Sequence, residues 1–245
     1  MINILIPMAG GGSKFAEKGY TFPKPLIEIN GKPTIEWVIK NLTPNVEHNF
    51  IFIVKREHYE KYKLGSMLGL IAPNCKIIII DAPTQGAACT ALFAKEYING
   101  RDPLVIAGSD QYVLGGVDGF LDYAREQALD GVIMTFKSAH PKWSFAKLGK
   151  DGLVMETAEK NPISDNASVG IYFFKQGSDF VLAAENMIKK DIRTNGEFFL
   201  APVYNELILQ DKKIGIYEIE QKNMISWATP EDLELFLKSQ VELKA

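Results

Sequence analysis

Ile2-Asn3-Ile4-Leu5-Ile6-Pro7-Met8-Ala9-Gly10-Gly11-Gly12-Ser13-Lys14 is the stretch on which the fold turns. The run 2–6 reads as a buried strand, and strands apolar on both faces belong to parallel sheets covered by helices. Three glycines and a lysine follow where that strand ends. In open α/β sheets ligands bind at the carboxyl ends of parallel strands, and glycine lets backbone N–H groups approach an anion closely. A polyphosphate suits Gly10 to Gly12 with Lys14, and Lys24 adds a second positive charge within the long loop expected to run on to Pro25. A plain glycine turn with two solvated lysines is the competing reading.

The rhythm continues outward from this segment. Residues 33–42 carry Ile35, Val38, Ile39 and Leu42 at helical spacing, with Pro33 near the first turn. Strands are expected at 50–54, 76–81 and 103–107, separated by helices at 57–70 and 87–97, with a fourth helix at 117–127. After Gly131 the order changes: strands at 132–136, 145–148, 153–157 and 169–174 follow with few helices between them. Helices at 178–190 and 200–210, a strand at 213–219 and a helix after Pro230 close the chain. This pattern predicts an α/β fold, a three-layer α/β/α sandwich with a mixed, mostly parallel sheet and an antiparallel extension. With no linker-like tract, residues 1–245 are expected to form one domain.

Composition narrows the function. The chain has 245 residues, 47% hydrophobic and 23% charged, with a formal net charge of −3. A mild acidic balance argues against a nucleic-acid groove. No run approaches the roughly 18 apolar residues of a membrane span, and residues 1–7 enter a strand without a basic leader. A cytoplasmic protein without membrane or nucleic-acid partners is the expectation. Cys75 and Cys89 cannot make a disulfide framework, and His48, His58 and His140 show no zinc spacing. The common nucleotide fingerprints fail: position 15 is Phe where Gly-x-Gly-x-x-Gly needs glycine, and Pro33 follows Gly31-Lys32 where a Walker A loop needs Ser or Thr. Asp110, after a buried strand and Gly108-Ser109, suits a hard divalent cation bridging phosphates; an Asp in such a turn is also a common solvated or capping residue.

Together these segments resemble sugar-1-phosphate nucleotidyltransferases. Residues 6–15 (IPMAGGGSKF), 23–27 (PKPLI) and 30–33 (NGKP) are similar to the family's glycine-rich signature. Further matches follow in order: Thr84-Gln85-Gly86-Ala87-Ala88, Gly108-Ser109-Asp110, Glu159-Lys160-Asn161-Pro162, Val169-Gly170-Ile171-Tyr172 and Thr229-Pro230-Glu231-Asp232-Leu233. The resemblance implies the nucleotide-diphospho-sugar transferase fold, which is Rossmann-like. It also implies coupling of a nucleoside triphosphate to a phosphorylated acceptor with release of pyrophosphate. Residues 1–130 would form the nucleotide-binding half and 131–245 the acceptor half.

Carried over by position, the family's roles make Lys14 and Lys24 catalytic. Met8, Ala9, Gly10, Gly11, Gly12, Ser13, Gln85, Gly86 and Ser109 would bind nucleotide, and Asp110 would hold Mg²⁺. Lys142, Trp143, Ala146, Glu159, Lys160 and Ser168 would meet the acceptor. A pyrimidine triphosphate is favoured, and the pathway implied is assembly of capsule or other surface polysaccharide precursors. Self-association into a homo-oligomer is compatible with the family.

Four positions depart from the family pattern. Lys14 stands where the family usually has Arg, replacing a bidentate fork by a point charge. Ala146 replaces a glycine and Ser168 an Asn, both commonly in contact with sugar. Ser226 occupies the place of a second metal-binding Asp, for which Glu156 is the substitute considered. These changes concentrate on the acceptor side and leave room for a sugar 1-phosphate, a non-sugar phosphate or a phosphonate. Two other functions compete: a glycosyltransferase using Asp110 in a D-x-D motif, which Tyr112 does not complete, and a non-catalytic nucleotide-binding regulator.

Overall fold

The computed structural model describes residues 1–10, 12–239 and 241–243. The first half contains β1 (Ile2–Pro7), α1 (Ser13–Glu17), β2 (Glu28–Ile29), β3 (Lys32–Pro33), α2 (Thr34–Leu42), β4 (His48–Lys55), α3 (Arg56–Lys61), α4 (Leu64–Ile71), β5 (Lys76–Ile80), α5 (Ala87–Leu92), α6 (Lys95–Ile98), β6 (Leu104–Ala107), β7 (Gln111–Val113) and α7 (Asp118–Glu126). The second contains β8 (Gly131–Lys137), β9 (Ser144–Leu148), β10 (Val154–Glu159), β11 (Asn166–Phe174), α8 (Gly177–Lys189), α9 (Val203–Ile208), β12 (Ile214–Glu218), β13 (Met224–Ser226) and α10 (Pro230–Lys238).

From one edge of the main sheet inward run β5, β4, β1 and β6, all parallel. β11 joins β6 antiparallel and carries the sheet on to β8 and, at its other end, to β9 and β10. Strands from both halves of the chain therefore share hydrogen bonds in one sheet. The register of β11 shifts between Ser168 and Tyr172, and Gly170 in this bulge has φ +91°, a conformation in which glycine is unstrained.

Alternating side chains divide the core into two layers. Ile4 and Ile6 of β1, with Phe50, Phe52 and Val54 of β4, face one layer, which α2, α4, α7 and α10 cover. Leu5, Ile51 and Ile53 face the other, covered by α5, α8 and α9. This is the expected three-layer α/β/α arrangement, and the period-2 alternation within continuous apolar runs accounts for it. Among the described residues no helix is long and apolar enough to cross a membrane.

The expected helix 57–70 is two helices, broken at Lys63, whose φ is +52°. Helix 87–97 likewise divides into α5 and α6. The segment expected as a loop from Gly10 to Pro25 contains α1 and a single 3₁₀ turn at Lys24–Leu26.

Candidate active site

Two cavities meet at the carboxyl ends of β1, β5 and β6, sharing Pro7 and Gly10. The smaller, about 130 Å³, has Met8, Gly12, Lys24, Ser109 and Asp110 in its wall. The larger, about 280 Å³, is bounded by Ala9, Thr84, Gly86, Thr90, Glu197 and Phe199.

Lys24 and Asp110 form the charged floor of the smaller cavity. Lys24 Nζ donates to Asp110 Oδ2 at 2.5 Å, with the side chains 27% and 19% exposed. Each comes from a stiff segment. Lys24 opens the 3₁₀ turn between Pro23 and Pro25, and proline on both sides restricts the backbone. The segment is tied down where Thr34 N and Oγ1 both donate to Ile27 O.

Asp110 sits between β6 and β7. Trp227 N donates to its carbonyl at 2.7 Å, as β13 pairs antiparallel with β7. Gln111 Nε2 reaches back to Gly108 O at 3.0 Å. A Cβ at Gly108 would lie 2.6 Å from Gln111 Oε1 and 2.8 Å from Asp110 Oδ1, so a larger residue there would displace the tips of both side chains. Buried Asn41 of α2 exchanges two hydrogen bonds with Val113, at 2.8 and 2.9 Å, and so anchors the strand that follows Asp110.

The remaining members of the glycine loop lie close by. Met8 and Ala9 are buried, and Met8 N donates to Ile53 O at 2.9 Å. Gly12 has φ +61° and caps α1, and Phe15 N and Ala16 N donate to its carbonyl. Lys14 is exposed on α1. Gly11 lies outside the described residues, and for Ser13 only its place at the start of α1 is described.

At the larger cavity, Gly86 is required by close approach. Its φ is +123°, and a Cβ there would stand 2.4 Å from Phe198 O and 2.5 Å from Phe198 N. Phe198 N donates to Gln85 O at 2.8 Å and Ala88 N to Phe198 O at 3.0 Å, so the loop preceding α5 is bonded to the segment 191–199. Gln85's side chain turns towards that segment, accepting from Arg193 Nη2 at 3.0 Å. Glu197 and Phe199, which reach the cavity wall from there, were absent from the sequence reading. A signal for the segment exists in Asn195-Gly196: both have positive φ, and Thr194 and Glu197 pair across them, the pattern of a tight hairpin turn.

The expected acceptor residues are divided between the two faces of the sheet. Ser144 Oγ donates to Glu159, and β9 pairs these two residues directly across from β10. Burial is the main cause pushing the Glu159 carboxyl above its usual range; Ser144 and Lys160 oppose it, while Glu197 adds to it. Burial also drives fully enclosed Tyr172 up to about 12, with the Glu159 charge adding to the shift. Ser168 Oγ accepts from Gly170 N at 3.0 Å inside the bulge. Ala146 is wholly buried. Lys160 Nζ lies 4.6 Å from the Phe199 ring centre.

Lys142 and Trp143 belong to the opposite layer. Trp143 packs edge-on against Phe136, and Lys142 Nζ pairs with Asp232 at 2.8 Å. Both line a separate cavity of about 450 Å³ together with Ser226 and Asp232.

Among the described residues no cluster of three His, Cys, Asp or Glu side chains could hold a metal ion. Glu156 is exposed on β10, paired across from Lys147, and lies outside the wall that holds Asp110. A lone carboxylate beside a lysine fits a cation that arrives with phosphate oxygens, as Mg²⁺ does, rather than one held by the protein alone.

Comparison with known proteins points the same way. The model of the nucleotidyl transferase family matches residues 4–208. The chain is 26% identical over 221 residues to the bifunctional protein GlmU of Methanococcus maripaludis strain C5, covering 88% of this chain and 49% of that protein. It is 26% identical over 177 residues to the glucose-1-phosphate thymidylyltransferase of Streptomyces antibioticus, covering 69% and 48%. The chain thus spans about half the length of the curated relatives it matches. The crystal structure of a nucleoside-diphosphate-sugar pyrophosphorylase from Vibrio cholerae RC9 superposes with a TM-score of 0.82 at 28% identity, over 96% of this chain and 100% of that one. Because the family match takes in every residue lining the two joined cavities, the chain belongs to the nucleotidyl transferase family.

Proposed function

We propose that this chain couples a nucleoside triphosphate to a phosphorylated small-molecule acceptor and releases pyrophosphate. The observation that carries the reading is the Lys24–Asp110 pair beneath a cavity bounded by the glycine loop. An oxygen of the acceptor phosphate attacks the α-phosphorus, and the bond from that phosphorus to the bridging oxygen of the β-phosphate breaks. Such chemistry asks chiefly for alignment and for neutralisation of oxygen charge. Lys24, stiffly held and partly buried, neutralises charge where the new bond forms. Lys14, exposed on α1, serves the departing pyrophosphate. Asp110 would hold Mg²⁺, which supplies Lewis-acid stabilisation of phosphate oxygens when bound.

Residues 1–130 then handle the nucleotide, the glycine loop taking the phosphates and Gln85-Gly86 with Thr84 the base. Residues 131–245 handle the acceptor, through Glu159, Lys160 and Ser168, together with Glu197 and Phe199 from the segment bonded to the base loop. A pyrimidine triphosphate (CTP, UTP or dTTP) is the nucleotide we propose. The names of two similar proteins, a glucose-1-phosphate thymidylyltransferase and a nucleoside-diphosphate-sugar pyrophosphorylase, support a sugar phosphate as acceptor. The Phe199 ring at the cavity wall keeps a non-sugar phosphate or phosphonate in the set to be tested. Supply of surface-polysaccharide precursors in the cytoplasm is the cellular role proposed.

The test is pyrophosphate release from each of five triphosphates against a panel of sugar 1-phosphates, phosphoamino compounds and phosphonates. One nucleotide with one acceptor class should give turnover. Replacing Lys24 with Ala should lower kcat by about 10²–10³-fold, the usual loss for one preorganised charge-stabilising group, with nucleotide affinity changed far less. Full turnover in that variant would sink the mechanism.

A further inference from the structure

We infer that Lys24 and a divalent cation are alternative partners of Asp110, and that an arriving triphosphate decides between them by drawing the Lys24 ammonium onto its own oxygens. This rests on the reading in which Asp110 is the protein ligand of the cation.

Among the described residues, Asp110 is the one carboxylate in the wall of the smaller cavity. Its Oδ2 accepts from Lys24 Nζ at 2.5 Å, so the pair carries no net charge and one oxygen is committed. Mg²⁺ sheds its water reluctantly and prefers one or two carboxylates joined by phosphate oxygens. A carboxylate neutralised by an ammonium in contact offers little to offset that dehydration. No cluster of three His, Cys, Asp or Glu side chains among the described residues gives the cation another home.

The lysine stem is the part free to move, because the backbone on both sides is held. Leu26 N donates to Pro23 O at 2.8 Å across the Lys24 turn, and Trp227 N donates to Asp110 O at 2.7 Å. Lysine carries a compact point charge on a long flexible stem, so its ammonium turns without disturbing either strand end. The glycine loop is the neighbour to which it would turn. Gly12 and Lys24 line the same cavity, and a Cβ on Gly12 would stand 4.0 Å from Lys24 N.

Phosphates cradled by that loop set several negative charges against the single charge of Asp110 in competition for Lys24. Once Lys24 turns to them, the Asp110 carboxylate regains its full charge beside phosphate oxygens, the oxygen set that suits Mg²⁺. Cation and nucleotide then strengthen each other's binding through Lys24, and the effect is reciprocal by linkage.

The experiment is equilibrium dialysis of Mn²⁺, standing in for Mg²⁺, against the protein without nucleotide. Lys24→Met and Lys24→Gln, checked for folding by circular dichroism, should each bind Mn²⁺ about tenfold or more tighter than the parent, within the usual span of coupling between two ligands. Lys24→Arg keeps a charge in contact and should stay near the parent. Adding Asp110→Asn to Lys24→Met should abolish the gain. Lys18→Met removes a positive charge from neighbouring α1, where Lys18 pairs with Glu231 at 3.5 Å, and should leave Mn²⁺ affinity unchanged. An equal gain in Lys18→Met, a gain that survives Asp110→Asn, or no gain in either Lys24 variant overturns the inference. Dialysis of the triphosphates themselves separates the two failures. Triphosphate bound by the parent, with no Mn²⁺ gain in the Lys24 variants, leaves the proposed reaction standing; triphosphate bound by no form overturns both.

Discussion

Replacing Gly86 with Ala tests how the larger cavity is built. At φ +123° and ψ 172° the residue occupies backbone space open essentially to glycine alone, and holding an L-residue there costs about 1–3 kcal/mol. The added methyl would also stand 2.4 and 2.5 Å from the Phe198 backbone oxygen and nitrogen, so the segment 191–199 must move outward by about an ångström to reach ordinary contact. That movement breaks two hydrogen bonds, Phe198 N to Gln85 O and Ala88 N to Phe198 O, each worth about 0.5–1.5 kcal/mol net. The sum is about 2–6 kcal/mol, a large part of the roughly 5–15 kcal/mol of a typical domain. Urea unfolding followed by circular dichroism reads the loss. Gly10→Ala is the control: it has no positive φ and nothing within 4 Å of a Cβ. It should unfold within about 1 kcal/mol of the parent, yet lose nucleotide affinity, since Gly10 lines both cavities. A Gly86→Ala protein as stable as the parent, within about 0.5 kcal/mol, would refute the reasoning.

Two further predictions concern the supports of the site. Asn41→Leu strands the N–H of Val113 in the core, while the Val113 carbonyl keeps Gly116 N as donor; it should cost about 1–3 kcal/mol in the same unfolding assay, with turnover reduced because the strand after Asp110 loses its tether. Glu159→Gln addresses pH. Burial raises the folded-state pKa of this carboxyl, so the parent's stability contribution from Glu159 is complete when the group is protonated and is lost as pH rises through the raised value. Differential scanning fluorimetry should show the variant's advantage in Tm growing from about pH 4 to about pH 8; an advantage that shrinks over that range would contradict the assigned burial.

The parallel strands were legible because Ile4 to Ile6, Phe50 to Val54 and Leu104 to Ala107 are continuous apolar runs buried on both faces, and the turn from Ala107 to Asp110 followed from them. Less was readable where local pattern and tertiary contact disagree. Residues 57–70 keep helical spacing throughout, yet Lys63 adopts a left-handed conformation and splits the helix. β7 and β13 are three residues each, too short for any periodicity; their pairing, which seats Trp227 on the Asp110 carbonyl, is a purely long-range fact. The acceptor set drew Lys142 and Trp143 together with Ala146 from one short stretch, but the chain enters β9 at Ser144, where successive side chains face opposite ways, and Ala146 is buried in the other layer. Trp143 packs on one layer while Ser144 bonds to Glu159. The segment 191–199 read as a connection between helices, because its partners, Gln85 and Gly86, lie over a hundred residues earlier.

The ion pair between Lys24 and Asp110 also constrains how this protein can change by descent. A single substitution at either position leaves the other as an uncompensated charge in a site less than one-third exposed, and removing one partner of such a pair costs more than removing both. The two codons, separated by 86 residues, are therefore mutationally locked to each other even in a lineage that no longer needs the reaction. Loss of function by drift should first touch Lys14, which is exposed and has no ion-pair partner among the described residues, and reach the charged floor last.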